Sequence, residues 1–437
     1  MTIEIDRVKH TRRALRRHFI ETVLHEFDVE RMKLDATRRK AKYATMQESP
    51  YRFFRGSAYL FYYDVTKIPS LYHTPEHKPV WIQGDMHMDN FGCFQNEAGD
   101  IVFDANDFDE GYVGSYLYDI LRMSVSIALY ADAEGRTPEE QRAFIREFTE
   151  SYYEQLARFV AKKENPSTLT FTEDNTKKPI AKVLKKLEKR KHNHLLADIT
   201  YSNEQGERVF CFDDEVRPVT GDEAEQIQAV MRDYMSTLEA KHVPNADHFR
   251  IKDIARKYGS GTASIGPSRY YILIEGGQEA GGLDDLVLEM KEARPPVPAY
   301  FLPYNDAFWV EHTHQGERVV ATQKAMHHLN DPYLGYTTIG DKEFYIRERS
   351  PYKKKVKQKD LVTDKDYKRT VATMGRVAAK IHTRADISES YRSADEILAA
   401  IDDKERFIHY VAYATFMYKE QVKYDYEIFT ELVDSLQ

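Results

Sequence analysis

The sequence predicts an α+β protein with a small β-rich lobe and a larger helical lobe. Three observations point there. First, two short apolar segments, Val80–Ile82 and Ile101–Phe103, each run into a loop rich in carboxylates, a strand–loop pattern stated twice. Second, much later in the chain, the apolar runs 270–274 and 286–291 flank a glycine-rich turn, the pattern of a β-hairpin. Third, charged segments with apolar residues at helical spacing occupy most of the remainder.

The elements follow in order. Residues 6–45 carry Leu15, Phe19, Val23 and Phe27 at helical spacing and read as one or two amphipathic helices, which Ser49-Pro50 ends. Residues 51–64 are aromatic-rich and expected to be helical and buried. Helices are expected at 116–131 and 138–162, after the two strand–loop units. Residues 163–220 show little pattern apart from the basic run Lys177–Lys191, either a solvated helix face or a site for an acidic ligand. A helix at 221–241 opens on acidic residues, which suit a helix N-terminus. After the hairpin, Pro295, Pro296 and Pro298 break the chain. A helix at 317–329, strands at 333–338 and 343–348, a helix at 371–382 and two more over 393–435 complete the reading.

Composition narrows the class. The chain has 437 residues, 42% of them hydrophobic, enough for a large core in two or three domains or in one two-lobed domain with additions. A net charge of −8 argues against a dedicated nucleic-acid binder. Two cysteines, Cys93 and Cys211, make neither a disulfide framework nor a zinc spacing, so a reducing cytoplasm is expected. The charged segment Met1–Arg17 does not read as a signal peptide. No apolar run approaches the roughly 20 residues that span a bilayer, so no membrane partner is expected.

The chemistry concentrates in residues 84–110. Gly84-Asp85-Met-His-Met-Asp-Asn90 places a carboxylate and an amide oxygen five residues apart, and Asp107 follows in Asn106-Asp-Phe-Asp109. A carboxylate can orient or accept a hydroxyl proton, while Asn and Asp oxygens are hard ligands suited to Mg²⁺. Asp104, Asp107, Asp109 and Glu110 crowd four carboxylates into seven residues. Their mutual repulsion calls for cations, and a metal is the expected compensator. Gly259, Gly261 and Gly266 lie ahead of the hairpin and could bring backbone N–H groups close to a phosphate. Lys291 ends the return strand, where a lysine behind a glycine-rich turn can pair phosphates. Arg55, inside an aromatic stretch, needs an acidic residue or a phosphate as partner. Lys353–Lys355, Lys357 and Lys359 form a basic run that reads as a solvated loop or as a steering patch.

Taken together, Ser49–Gly56, Gly84–Gly92, Phe103–Glu110, Gly259–Gly266, Met290–Ala293 and Gly316–Val320 resemble the bacterial family catalogued as domain of unknown function 2252, from about residue 40 to about 390. A more distant resemblance supplies a reaction. Gly-Asp-x-His-x-x-Asn, then Asn-Asp-Phe-Asp, then Asp119, looks like the core of aminoglycoside phosphotransferases and related kinase-like enzymes. That resemblance implies Asp85 as catalytic base, Asn90 and Asp107 as Mg²⁺ ligands, and Asp119 as a brace for the loop. It also implies Lys291 on the α- and β-phosphates of ATP, with Glu317 as its helix partner. The glycine pattern departs from that of kinases, because Gly266 lies five residues after Gly261.

The order of the parts also departs. In a kinase the glycine-rich hairpin, lysine and helix precede the catalytic and metal loops; here they follow. Rotating the sequence restores the usual order, so the resemblance implies a circularly permuted, two-lobed kinase-like fold. The expected divisions are 1–48 as an N-terminal helical extension, 49–245 as the helical lobe with both loops, 246–352 as the β-rich nucleotide lobe, and 353–437 as C-terminal helices completing the helical lobe. The expected function is ATP- and Mg²⁺-dependent phosphoryl transfer to a small hydroxyl acceptor. Alternatives are a nucleotide-binding pseudokinase or regulatory module, and a metal-dependent phosphoesterase.

Overall fold

A computed structural model describes residues 2–191, 193–243, 247–259, 266–276, 284–386 and 392–435. They form an α+β structure. A helical body stands beside a six-stranded antiparallel sheet, and short two-stranded ladders make up the remaining described strands.

The body is centred on the helix Leu117–Asp132. From Leu117 to Ala131 only Tyr118 escapes full burial, as expected of a helix apolar on every side. It packs against the helices Pro138–Val160 and Lys404–Ser435, and Pro138–Val160 lies along Asp364–Thr383. Close approach sets that last contact: a Cβ on Gly375 would stand 2.4 Å from the carbonyl oxygen of Phe148. Capping boxes at Thr137 with Glu140 and Thr363 with Asp366 satisfy the first N–H groups and fix where both helices begin.

The sheet runs in the order Gly335–Ile339, Lys342–Glu348, Leu286–Glu292, Arg269–Ile274, Ile251–Lys257, Val216–Pro218. Successive side chains alternate between its faces. Leu286, Leu288 and Met290 pack with Ile227, Met231 and Tyr234 of the helix Gly221–Ser236 on one face. Lys291 pairs in register with Tyr345, and both belong to the opposite face, which looks toward the helical body. Residues 216–236 therefore pack with the sheet, although a division at 245 would put them with the preceding helices.

Several elements differ from expectation. Ser49-Pro50 follows the end of the helix Ala36–Met46, as expected, but it also opens another: Ser49 accepts the Arg52 N–H and Pro50 starts the buried helix Pro50–Gly56. The strand Ile251–Lys257 escapes notice because Lys252, Asp253, Arg256 and Lys257 mask its apolar positions. Within 163–220, the helix Ile180–Glu188 buries Ile180, Val183, Leu184 and Leu187 and exposes Lys182, Lys185 and Lys186, which is a solvated face. Gly261 and the hairpin turn at 277–283 lie outside the described residues. Among those described, no helix is long and apolar enough to cross a membrane.

Candidate active site

Two short ladders deliver the acidic loops. Val80–Ile82 pairs with Tyr112–Gly114, and Phe91–Gln95 pairs with Ile101–Ala105. The loop Gln83–Asn90 leaves the first ladder and enters the second, and the loop Asn106–Gly111 returns. Both loops thus start and end on the same pair of ladders. The strands Phe91–Gln95 and Tyr112–Gly114 were not expected from the sequence.

Asp119 fixes the first loop. Its carboxylate accepts the N–H groups of Gln83 at 2.6 Å and Gly84 at 3.0 Å, and it lies 3.1 Å from His382 Nε2. Gly84 adopts φ +83°, and a Cβ there would stand 2.0 Å from the Glu110 carbonyl oxygen. Only glycine lets the two loops approach this closely.

The next residue, Asp85, is buried, and its Oδ1 accepts from Arg122 Nε at 2.5 Å. Arg122 is fully buried; it also donates to the Phe54 carbonyl at 3.1 Å and lies over the Phe54 ring at 4.2 Å. Burial pushes the Asp85 carboxyl up, and the charges of Arg122 and Arg55 only partly offset this. Asn90 donates its Nδ2 to the Asp85 carbonyl at 2.8 Å, which leaves its Oδ1 as an acceptor. Arg55 finds an acidic partner, Asp89, at 2.7 Å.

The protein's own cations meet part of the charge of the four crowded carboxylates. Asp104 pairs with the buried Lys380, and Asp109 pairs with Lys291. Glu110 accepts the Val297 N–H at 2.5 Å; burial nevertheless pushes its carboxyl up to about 7. Burial works against the charge of Asp107 as well, but Lys291, a hydrogen bond from Asp109 and Arg347 outweigh it. Asp107 is therefore held well below the usual carboxylate range. Asp109 is shifted the other way, by burial and by the neighbouring Asp107. Burial also opposes the charge of Lys291, and Asp109 leads the groups that restore it.

Asp85, Asn90, Asp107, Lys291 and Gly266 all line one cleft of about 600 Å³. Gly259 and Glu317 do not. Gly259 lies beside Glu215 at the end of the strand Ile251–Lys257. Glu317 sits in the first turn of the helix Gln315–Met326, where its carboxylate meets His312 Nδ1 at 2.9 Å. The partner of Lys291 is Asp109, two residues from the expected metal ligand. From that helix it is Gln315 that reaches the cleft, while Arg318 binds the carbonyls of Asp109, Gly111 and Arg294.

The donor set admits Mg²⁺ only in one manner. Among the described residues no group of three or more His, Cys, Asp or Glu side chains could hold a metal. Mg²⁺ commonly takes one or two protein oxygens and completes its shell with water and phosphate. An ionised Asp107 and the Asn90 amide oxygen match that habit.

Sequence reasoning assigned no partner to Arg122, Lys380 or Arg347. The first two carried a signal, each a lone charge in an apolar helical run: Ile120-Leu121-Arg122-Met123 and Ala378-Ala379-Lys380-Ile381. Such a charge must be paired when buried.

The family model of DUF2252, described as an uncharacterized protein conserved in bacteria, matches residues 34–432. The chain belongs to this family. The match takes in both acidic loops, the Lys291 strand and most of the C-terminal helix Lys404–Ser435, so this DUF2252 protein is a family member nearly throughout its length. No curated protein and no solved structure matches it.

Proposed function

We propose that this DUF2252 protein is a phosphotransferase that uses ATP and Mg²⁺ and acts on a small hydroxyl acceptor, with the parts of a two-lobed kinase-like fold in circularly permuted order. One observation carries the reading: Asp85, Asn90 and Asp107, from the first quarter of the chain, share a cleft with Lys291. Phosphoryl transfer requires mostly positioning and charge neutralisation. Lys291 would meet the nucleotide phosphates from the sheet side. Asn90 and Asp107 would hold the metal, whose role when bound is to neutralise phosphate charge. Asp85 would orient the acceptor hydroxyl and take its proton through Oδ2, since Arg122 occupies Oδ1. Burial favours this role, because it raises the proton affinity of a carboxylate that would otherwise be a weak base.

The test is turnover of ATP against a broad panel of small alcohols and sugars, with Asp85→Asn as control. The substitution is expected to lower turnover by about 10²–10³-fold or more while leaving nucleotide affinity largely intact. Equal turnover by the two proteins would sink the assignment.

The Asp85–Arg122 pair also favours a second reading, a nucleotide-binding regulatory module. A base committed to a fully buried guanidinium is a weaker catalyst than a free one. Binding of Mg-ATP with no product on any acceptor, in wild type as in Asp85→Asn, would select this reading.

A further inference from the structure

A second cavity, of about 1170 Å³, lies away from the acidic loops, between the N-terminal helix Thr2–Leu24, the helix Ala58–Val65 and the C-terminal helix Lys404–Ser435. It exceeds the roughly 300–1,000 Å³ of ordinary small-ligand sites. Its walls are apolar and aromatic, with Phe19, Phe61, Tyr118, Val125, Tyr410 and Tyr424 among them. Leu15, Ile68, Tyr413 and Met417 line it while remaining more than half exposed, an apolar border that water disfavours.

Its charge is one-sided. In a chain of net charge −8, the lining includes Lys9, Arg12, Arg13 and Arg16, with Asp64 as its only acidic member among the described residues. Arg16 is spoken for by Asp64 at 2.7 Å and Asp425 at 2.5 Å, and Arg13 by Glu431 at 2.6 Å. Lys9 and Arg12, one turn apart on the same helix, form no ion pair with a described residue. A half-open apolar groove, with two cations at its edge that no described residue pairs, suits a ligand with a long apolar body and one anionic end.

We propose that this cavity binds a free long-chain fatty acid, its hydrocarbon chain between the helices and its carboxylate at Lys9 and Arg12. The site is distinct from the acidic cleft but shares structure with it. Phe61 lines the cavity and lies 5.1 Å from the guanidinium of Arg122, and Leu121 lines it one residue before Arg122. The proposal does not depend on the phosphotransferase reading.

The experiment is calorimetric titration of the full chain with palmitate below its micellar concentration. Palmitate is expected to bind, with affinity falling roughly tenfold for each two methylene groups removed. The neutral sixteen-carbon alcohol is expected to bind at least tenfold more weakly. Ala414→Trp, which fills the cavity from the C-terminal helix, is expected to abolish binding. The exposed double substitution Lys9→Glu, Arg12→Glu is expected to weaken palmitate about tenfold and leave the alcohol unchanged; it tests the site even if Ala414→Trp does not fold. The proposal is overturned if palmitate does not bind, or if acid and alcohol bind alike. It is also overturned if only anionic phospholipid vesicles bind, or if sedimentation shows this face closed by a second copy of the chain.

Discussion

Arg122 and Asp85 meet inside the protein, Nε to Oδ1 at 2.5 Å, with the guanidinium fully excluded from water. The pair fixes the loop Gln83–Asn90 to the buried helix Leu117–Asp132. Removing one member of a buried pair strands the other, at a cost of about 3–5 kcal/mol. Arg122→Met is expected to lower unfolding free energy by that order in urea denaturation. A loss below about 1 kcal/mol would mean that water reaches Asp85 and that the pair is not a structural tie.

Gly84 offers a purely steric prediction. At φ +83° with the Glu110 carbonyl 2.0 Å from any added Cβ, alanine cannot be accommodated without moving one loop. The left-handed backbone alone costs about 1–2 kcal/mol, and the overlap adds to it. Gly84→Ala is expected to lower the melting temperature and separate the two acidic loops. A melting curve identical to wild type would show that the loops are not held this tightly.

Acid sensitivity is expected from His327. Burial lowers its imidazole pKa to about 4, with Lys380 also disfavouring the charge and Asp104 partly restoring it. The unfolded chain takes up a proton near pH 6.5, and the folded one does so only near pH 4. The stability tied to this group is therefore complete above pH 6.5 and is lost as the pH falls through about 4, on the order of 3 kcal/mol in all. His327→Gln can keep a donor for the Ala105 carbonyl, which His327 Nε2 meets at 2.8 Å. In this variant unfolding free energy should depend less on pH over that window, measured in denaturant at several pH values. An unchanged slope would remove His327 from the account.

Ligand linkage separates the acidic cleft from an ordinary surface groove. If Mg-ATP binds there, a concentration a hundredfold above its dissociation constant should stabilise the protein by about 2.7 kcal/mol. Chelating the metal, or Asp107→Asn, should remove most of that gain, whereas Asp174→Asn on the surface should not. Equal thermal shifts in Asp107→Asn and wild type would place the metal elsewhere.

Local pattern carried much of the fold. The hairpin of Arg269–Ile274 with Leu286–Glu292 and the helices Leu117–Asp132 and Pro138–Val160 follow from apolar runs of strand or helix length and, for Pro138–Val160, from its cap. Partner choice was not legible. A buried charge announces that it needs a partner but not which one, so the pairs Lys380–Asp104 and Arg122–Asp85 emerge only from the fold. Glu317 illustrates the limit, since its place at the start of a helix after Lys291 was readable and its engagement with His312 was not. Charged strands such as Ile251–Lys257 were hidden because both its edges of charge and its buried Ile254 and Ala255 sit within seven residues.

The ion pair of Lys291 with Asp109 spans 182 residues. During synthesis at about 5–20 residues per second, the acidic loops emerge on the order of 10–40 s before the lysine that neutralises them. For that interval the nascent chain carries an uncompensated anionic cluster, and Asp104 waits longer still for Lys380. Completion of the sheet and of the helix Asp364–Thr383 is thus also the moment at which the early half of the chain is discharged, so translation order and charge balance are linked in this protein.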